Sequence, residues 1–303
     1  MAWGGADIQI VPPPPPSSAV EIETDSRVFG EFGLPTGPLV FHLVDQEGGS
    51  RLIPVAEIVG DSARAVRRPS GVSQEAYESR FRETVLPVGS QFDVFRRGAR
   101  VGTFVAQSEG PVTACGVPTV VGNTTVVAAA VDANEYLAFR QGLAPQARGE
   151  FSPPQVTGPI RTYASIVAER LILQAGLPRP RSWATAQRDL QPVEIMAGAH
   201  PEMAATYLVG DQLAVGAPQS EGYSVFYIAD YETQRGYMPI YSDVRDYRRT
   251  GKAAPRLIDY ADWDEAEGRE ILMEVYGAEQ SWYQALGYRN GEWTKIWEGA
   301  ECD

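Results

Sequence analysis

From residue 269 to the end, the chain contains three strand-like segments separated by short turns, and this pattern restricts the fold more than any other feature. The segments cover 269–277, 281–289 and 292–299, and β-branched and aromatic residues are frequent in them. Asn290-Gly291 separates the last two, and this dipeptide is preferred in two-residue type I′ hairpins. The region is therefore predicted to be a three-stranded antiparallel meander in which aromatic side chains pack across neighbouring strands.

Most of the chain before residue 127 also carries hairpin signals. In "SQFDVFRRGARVGTFVAQ" (90–107), aromatic and β-branched residues flank a turn at 97–99. The apolar, uncharged stretch 117–131 is expected to be a buried central strand, or else a segment through which copies of the chain associate. The predicted fold class is mainly β (β-rich α+β). It has two β-sheet domains, each an antiparallel sandwich, a barrel or blade-like meanders, with a few short helices.

Two short helices are predicted in the first half. Ser73 is placed to cap one of them, with Tyr77 on its apolar face. Asp132 and Glu135 have the spacing of a capping box for the second, and Gly142 is placed to end it.

A longer helix is predicted for 159–176, because apolar residues recur there at intervals of three and four and Gly176 is followed by Pro178. The preceding stretch 144–159 is rich in proline, glycine and polar residues and is interpreted as a domain boundary. Strands dominate again after residue 190, and one of them is predicted at 212–217.

The predicted domains follow from these boundaries. Residues 1–19 form a Pro-rich tail or linker, 20–148 an N-terminal β domain with short helices, and 155–303 a helix followed by an antiparallel β domain. The run Pro12–Pro16 favours a stiff polyproline II spacer, with a disordered tail as the alternative.

Composition excludes some classes of partner. The net charge is −13, whereas nucleic-acid binders concentrate positive charge on one face, so no nucleic-acid partner is expected. A polybasic contact with a membrane surface is disfavoured for the same reason. No stretch approaches the roughly 20 apolar residues of a membrane span, and the first residues show no secretory signal.

Residues suited to nucleophilic catalysis are scarce. The chain has two histidines, His42 and His200, and it contains no G-x-S-x-G, H-E-x-x-H or Walker motif. No catalytic residue is therefore assigned. Carboxylates are abundant, so a hydrolase that uses a pair of acids stays an alternative.

One acidic loop has calcium-ligand spacing. Asp262, Asp264 and Glu270 occupy relative positions 1, 3 and 9 just before a predicted strand, and calcium prefers carboxylate and carbonyl oxygens. The segment resembles FG-GAP and VCBS repeats, which carry D-x-D-G-D-G-x-x-E followed by a strand. Ala266 replaces the third acid and the turn glycine is displaced by one position, which weakens the expected site.

"DQLAVGAPQSEGYSVFYI" (211–228) resembles the FG-GAP core pattern D-x-L-x-V-G-A-P. Members of that family build β-propellers on secreted and cell-surface proteins and bind proteins or glycans. The resemblance covers about 205–298, and no equivalent repeat precedes residue 150. It implies binding outside the cytoplasm, with calcium as the possible cofactor.

Cysteine content is consistent with export. Cys115 and Cys302 lack CxxC spacing, which argues against a zinc knuckle or thiol redox motif. They are either two buried thiols or one long-range disulfide, and a disulfide requires an oxidising compartment. The predicted location is extracytoplasmic (periplasm, cell surface or secreted), with a cytoplasmic location as the alternative.

The leading hypothesis is a non-catalytic, exported or cell-surface bacterial protein that acts in binding or assembly, with a protein or glycan partner and the possibility of self-assembly. A bacterial source is suggested because almost all basic residues are arginine: the only lysines are Lys252 and Lys295. One alternative is a carboxylate-dependent glycan hydrolase, with Trp282, Trp293 and Trp297 as exposed sugar platforms. The other is a cytoplasmic interaction domain.

Overall fold

A computed structural model describes residues 32–299 of the chain, except 148, 154, 220, 265 and 266. These residues form three antiparallel β-sheets and four α-helices, so the predicted mainly-β fold class is confirmed. The proline-rich run Pro12–Pro16 lies outside them. Among the described residues, no helix has both the length and the apolar character needed to cross a lipid bilayer.

The first sheet closes into a six-stranded barrel. Its strands follow the order β1-β7-β4-β5-β6-β2, β2 pairs back with β1, and β3 extends β2 outside the ring. The strands are β1 (Leu39–Gln46), β2 (Gly49–Val59), β3 (Ser62–Ala65), β4 (Gln91–Arg96), β5 (Ala99–Val112), β6 (Pro118–Val126) and β7 (Glu135–Arg140). Of the architectures predicted for this half, the barrel is the one that forms.

Helix α1 (Gln74–Thr84) packs its apolar face against the barrel core. The Ser73 side chain accepts a hydrogen bond from the backbone N–H of Ala76, as the N-cap assignment predicts. Tyr77 and Phe81, one turn apart on the inner face, are both fully buried. The prediction of this helix is confirmed.

The prediction of a second short helix in the first half is wrong, because Glu135–Arg140 forms strand β7. All four residues from Tyr136 to Phe139 are fully buried. Tyr136 and Ala138 face the barrel interior, whereas Leu137 and Phe139 pack against the C-terminal half of the chain. A strand buried on both faces shows no alternation of apolar and polar residues, so its sequence resembles that of a short helix.

The apolar stretch 117–131 forms β6 as far as Val126 and then a 3₁₀-helix at Ala128–Ala130. Strand β6 lies between β5 and β2 in the barrel, and its first residues are buried. The prediction of a buried strand is therefore confirmed for the first part of the stretch.

The C-terminal half is a sandwich of two four-stranded sheets. The outer sheet has the order β11-β10-β9-β8 and the central sheet the order β12-β13-β14-β15. The strands are β8 (Gln187–Val193), β9 (Glu202–Val209), β10 (Tyr223–Glu232), β11 (Gly236–Asp246), β12 (Ala254–Ala261), β13 (Glu270–Tyr276), β14 (Ser281–Arg289) and β15 (Glu292–Glu298). The helices are α2 (Gly158–Gln174), α3 (Trp183–Ala186) and α4 (Tyr247–Thr250).

Helix α2, the two sheets and the barrel stack as four layers. One apolar cluster joins α2 to the outer sheet, and a second, which contains Ile228 and Ile271, fills the space between the two sheets. A third joins the central sheet to the barrel and contains Leu272 and Phe95. The central sheet is thus covered on both faces, and the two halves of the chain share a continuous apolar interior.

The described residues of 144–157 have no regular secondary structure and link β7 to α2. Phe151 packs against the barrel core, and Val156 packs against the cluster formed by α2 and the outer sheet. The linker therefore contacts both halves, and the division into separate domains stays a prediction.

Both predicted hairpin turns are present, and the one predicted at 97–99 consists of two residues, since β5 begins at Ala99. Arg97 and Gly98 join β4 to β5 with φ values of 55° and 75°, and Asn290 and Gly291 join β14 to β15 with φ values of 53° and 86°. Two successive positive φ values define a type I′ turn, whose twist matches that of the flanking strands. The three-stranded meander predicted at the end of the chain is confirmed.

The strand predicted at 212–217 is wrong. These residues belong to the loop between β9 and β10, and they make no strand pairing. The likeness to a strand comes from alternating apolar residues, but Val215 is 47% exposed rather than buried. The backbone carbonyl groups of this loop bind the side chain of a lysine instead of a neighbouring strand.

Candidate functional site

The structure brings together the three acids that the sequence predicts as calcium ligands. One carboxylate oxygen from each of Asp262, Asp264 and Glu270 lies within 4.8 Å of the others. Asp262 and Glu270 are 5% and 0% exposed. This carboxylate cluster is therefore a compact, buried group of hard oxygen donors.

The pairing of β12 with β13 explains why the three acids of the carboxylate cluster lie close together. The last residue of β12, Ala261, lies opposite the first residue of β13, Glu270, so the acids that follow β12 are held near the start of β13. The backbone N–H of Trp263 donates a 3.0 Å hydrogen bond to Glu270 Oε2, which holds the loop against that side chain. Trp263 itself is buried in the apolar cluster between the central sheet and the barrel.

The guanidinium group of Arg289 balances part of the negative charge of the cluster. It forms an ion pair with Asp264, and its Nη1 lies 3.5 Å from Glu270 Oε1. Its Nη2 also donates a 2.8 Å hydrogen bond to the carbonyl oxygen of Asp61 in the β2–β3 turn of the barrel. Burial, followed by the adjacent Asp264 carboxylate, raises the pKa of Glu270 above its ordinary value.

The cluster fits a calcium ion in its ligand chemistry. Carboxylate oxygens that converge from a tight loop are the ligands that calcium prefers. Arg289 already contacts two of the three acids, so a calcium ion would have to displace that guanidinium group. Such an ion would fix the β12–β13 loop, a structural contribution rather than a catalytic one. Calcium binding stays a prediction.

The three tryptophans predicted as exposed sugar platforms do not form a common surface. Trp293 and Trp297 are only 6% and 9% exposed, so the prediction of exposure is wrong for both. Trp293 packs between the two sheets of the sandwich, and Trp297 packs at the contact with the barrel. The two side chains face opposite layers because an irregularity in the pairing of β14 with β15, between Lys295 and Trp297, reverses the side on which the later residues lie. Trp282 is half-buried, and its Nε1 donates a 3.1 Å hydrogen bond to Glu298.

A second polar group lies at the contact between the barrel and the central sheet, and sequence reasoning did not find it. His42 is 3% exposed; its Nδ1 lies 3.0 Å from the hydroxyl group of Tyr283, and its Nε2 lies 3.5 Å from Glu135. Arg256 Nη2 donates to both Glu135 and Glu274, at 2.8 and 2.9 Å.

This interface network joins β1 and β7 of the barrel to β12, β13 and β14 of the central sheet. Burial alone would raise the pKa of Glu135, but the adjacent His42 ring and the Arg256 guanidinium group hold that pKa far below its usual range. Glu135 is therefore ionised and paired. In the sequence, its only visible signal was the capping-box spacing, which pointed to a helix.

A cleft of about 320 Å³ separates the barrel from the outer sheet. Most of its walls are apolar, and the lining residues are Arg96, Arg97, Ala129, Ala130, Asp132, Ala133, Phe151, Pro153, Val156, Leu190, Gln191 and Pro192. Arg97 Nη1 donates a 2.6 Å hydrogen bond to the Pro192 carbonyl oxygen and thus spans the two walls. Asp132 is the one acid among these lining residues.

Cys115 is half-buried in the β5–β6 turn and packs against the barrel core. Its predicted partner, Cys302, lies outside the described residues. The disulfide therefore stays a prediction.

Comparison with protein-family models, with curated proteins and with solved structures finds no match to this chain. The resemblance of 205–298 to FG-GAP and VCBS repeats stays a prediction drawn from the two motifs.

Proposed function

We propose that this chain is a non-catalytic bacterial protein that acts outside the cytoplasm, in the periplasm or at the cell surface, by binding a protein or glycan or by assembling with further copies. The observation that carries the proposal is the position of its acids. The carboxylate cluster and the interface network are both enclosed at the contact between the central sheet and the barrel, where they connect the layers.

A third acidic site, formed by a single buried aspartate, lies at the same contact and has the same kind of partner. Asp259 of β12 is 1% exposed and accepts a 2.8 Å hydrogen bond from the backbone N–H of Arg97, at the β4–β5 turn of the barrel. Arg96 Nη1 lies 3.3 Å from its other oxygen. Buried carboxylates with such partners hold the barrel on the sheet.

A glycan hydrolase needs a different arrangement. Two carboxyl groups must flank an open cleft at about 5–9.5 Å from each other. The cleft between the barrel and the outer sheet is lined by Asp132 alone among acids, so its lining does not offer such a pair. The lining of this cleft therefore supports the non-catalytic role over a carboxylate-dependent hydrolase that would act there.

The proposal is tested by screening the purified protein against bacterial and plant polysaccharides for both retention and release of reducing sugars. Retention of a glycan without turnover is the expected result for a glycan partner. Turnover that a single Asp or Glu substitution abolishes, in a variant that still folds, would contradict the non-catalytic role.

The proposed location has its own test. In protein isolated from its native compartment, peptide mapping by mass spectrometry under non-reducing conditions is expected to show a Cys115–Cys302 linked peptide. Two free thiols in that protein would remove the support that the cysteines give to export.

For the carboxylate cluster we propose that Arg289 is the resident counter-ion and that calcium binds once the guanidinium group is removed. The melting temperature of the wild-type protein is expected to be the same in calcium chloride as in sodium chloride of equal ionic strength. Arg289→Gln is expected to gain a calcium-dependent stabilisation on the order of 1–3 kcal/mol, with magnesium as the control ion. A calcium response of the wild-type protein that Asp264→Asn removes would instead make calcium the resident ion.

A further inference from the structure

The loop between β9 and β10 surrounds the ammonium group of Lys252 with oxygen atoms. Lys252 Nζ lies 2.7 Å from Asp211 Oδ1 and 2.7, 3.2 and 3.3 Å from the carbonyl oxygens of Ala214, Gly216 and Gln212. The Lys252 and Asp211 side chains are only 2% and 3% exposed. We call these four oxygen atoms the oxygen cage.

The cage has the composition of a site for a monovalent cation. An ammonium group has three N–H donors, yet four oxygens lie within 3.3 Å of its nitrogen. Backbone carbonyl groups that converge on one point replace the hydration shell of a cation, as they do in potassium channels. One carboxylate matches one positive charge, so a monovalent ion leaves the buried site neutral.

Neighbouring elements hold the cage in shape. The hydroxyl group of Tyr247, which is 8% exposed, donates a 2.7 Å hydrogen bond to the second oxygen of Asp211. The backbone N–H of Gly216 donates to the carbonyl oxygen of Gly277 in the β13–β14 turn, at 3.4 Å. The cage therefore connects a loop of the outer sheet to a turn of the central sheet.

The shape of the cage also explains the residue that fills it. Lys252 is one of only two lysines in the chain, and apart from Lys295 every other Lys or Arg position is an arginine. A planar guanidinium group needs partners arranged around a fork, whereas a compact ammonium group accepts oxygens that converge on one atom. Lys295, the other lysine, is 39% exposed and pairs with Glu298 at the surface.

We propose that residues 211–216 form a monovalent-cation site that the protein fills with its own Lys252 ammonium group. When that group is removed, the site binds ammonium, potassium or a primary alkylammonium ion. The bound ion then restores the connection between the outer and the central sheet.

The test uses Lys252→Ala, which removes the atoms of a propylammonium ion from the cage. In sodium buffer the variant is expected to melt roughly 5–10 °C below the wild-type protein. Propylammonium, and to a smaller extent ammonium and potassium, should restore much of this loss with a saturable dependence on concentration. Tetramethylammonium has no N–H donor and is too large for the oxygen cage. At the same ionic strength it should not raise the melting temperature of the variant.

Lys295→Ala is the matched control, because it removes the exposed lysine and should show no difference between the cations. If Lys252→Ala does not fold in sodium buffer, its refolding yield in propylammonium compared with tetramethylammonium becomes the readout. Equal melting temperatures or equal yields in these two salts would overturn the proposal.

The wild-type protein offers an independent measurement. Brief treatment with acetic anhydride should acetylate Lys295 at least about tenfold faster than Lys252, because the Lys252 side chain is 2% exposed and does not meet the reagent, whereas the Lys295 side chain is 39% exposed. Equal rates at the two lysines would show that the cage does not hold Lys252 in solution.

Discussion

Arg256→Leu is expected to lower the free energy of unfolding by about 3 kcal/mol or more, because it leaves Glu135 and Glu274 without their shared partner at the contact between barrel and central sheet. The Arg256 and Glu135 side chains are 21% and 24% exposed, so solvent screens only part of the stranded charge. Urea titration followed by circular dichroism measures the change.

A second substitution identifies the cause of that loss. The double variant Arg256→Leu, Glu135→Gln no longer contains the Glu135 carboxylate that Arg256→Leu leaves without its partner. It should therefore lose less stability than the sum of the losses measured for the two single variants. Arg235→Leu is the matched control: its ion pair with Glu232 lies at the surface, with Arg235 62% exposed, and should contribute less than about 1 kcal/mol. An Arg256→Leu effect no larger than that of the control would show that the network does not hold the two halves together.

Gly122→Ala is expected to destabilise the barrel by about 3 kcal/mol or more, or to prevent folding. A Cβ atom at Gly122 would lie 2.0 Å from the carbonyl oxygen of Val105 and 2.9 Å from the ring of Phe104. The obstacle is mainly backbone, so β5 and β6 would have to separate where they pair in the barrel.

Gly158→Ala is the control for this substitution. A Cβ atom at Gly158, the first residue of α2, meets no atom within 4 Å, and alanine favours a helix, so the change should stay within about 1 kcal/mol. Thermal melting followed by circular dichroism compares the two variants. Similar melting temperatures would show that the close approach of β5 and β6 relaxes without cost.

Part of the candidate site could be predicted from the sequence. The acids at 262, 264 and 270 come together because a short loop joins two neighbouring antiparallel strands, and such local geometry follows from spacing alone. Arg289 could not be predicted as their counter-ion, since it lies on β14 and reaches the cluster only after the central sheet has formed. The oxygen cage around Lys252 escaped notice for a similar reason: its ligands are mainly backbone carbonyl groups, which carry no sequence signal.

The sequence by itself determined the local features of this protein: the turns at Arg97-Gly98 and Asn290-Gly291, the helix capped by Ser73, and the mainly-β class. These depend on contacts between residues a few positions apart. Only the tertiary structure decided that Glu135–Arg140 is a strand and that Trp293 and Trp297 are buried. Those outcomes depend on burial of both faces of β7 and of the central sheet, and burial by distant layers outweighs local propensity.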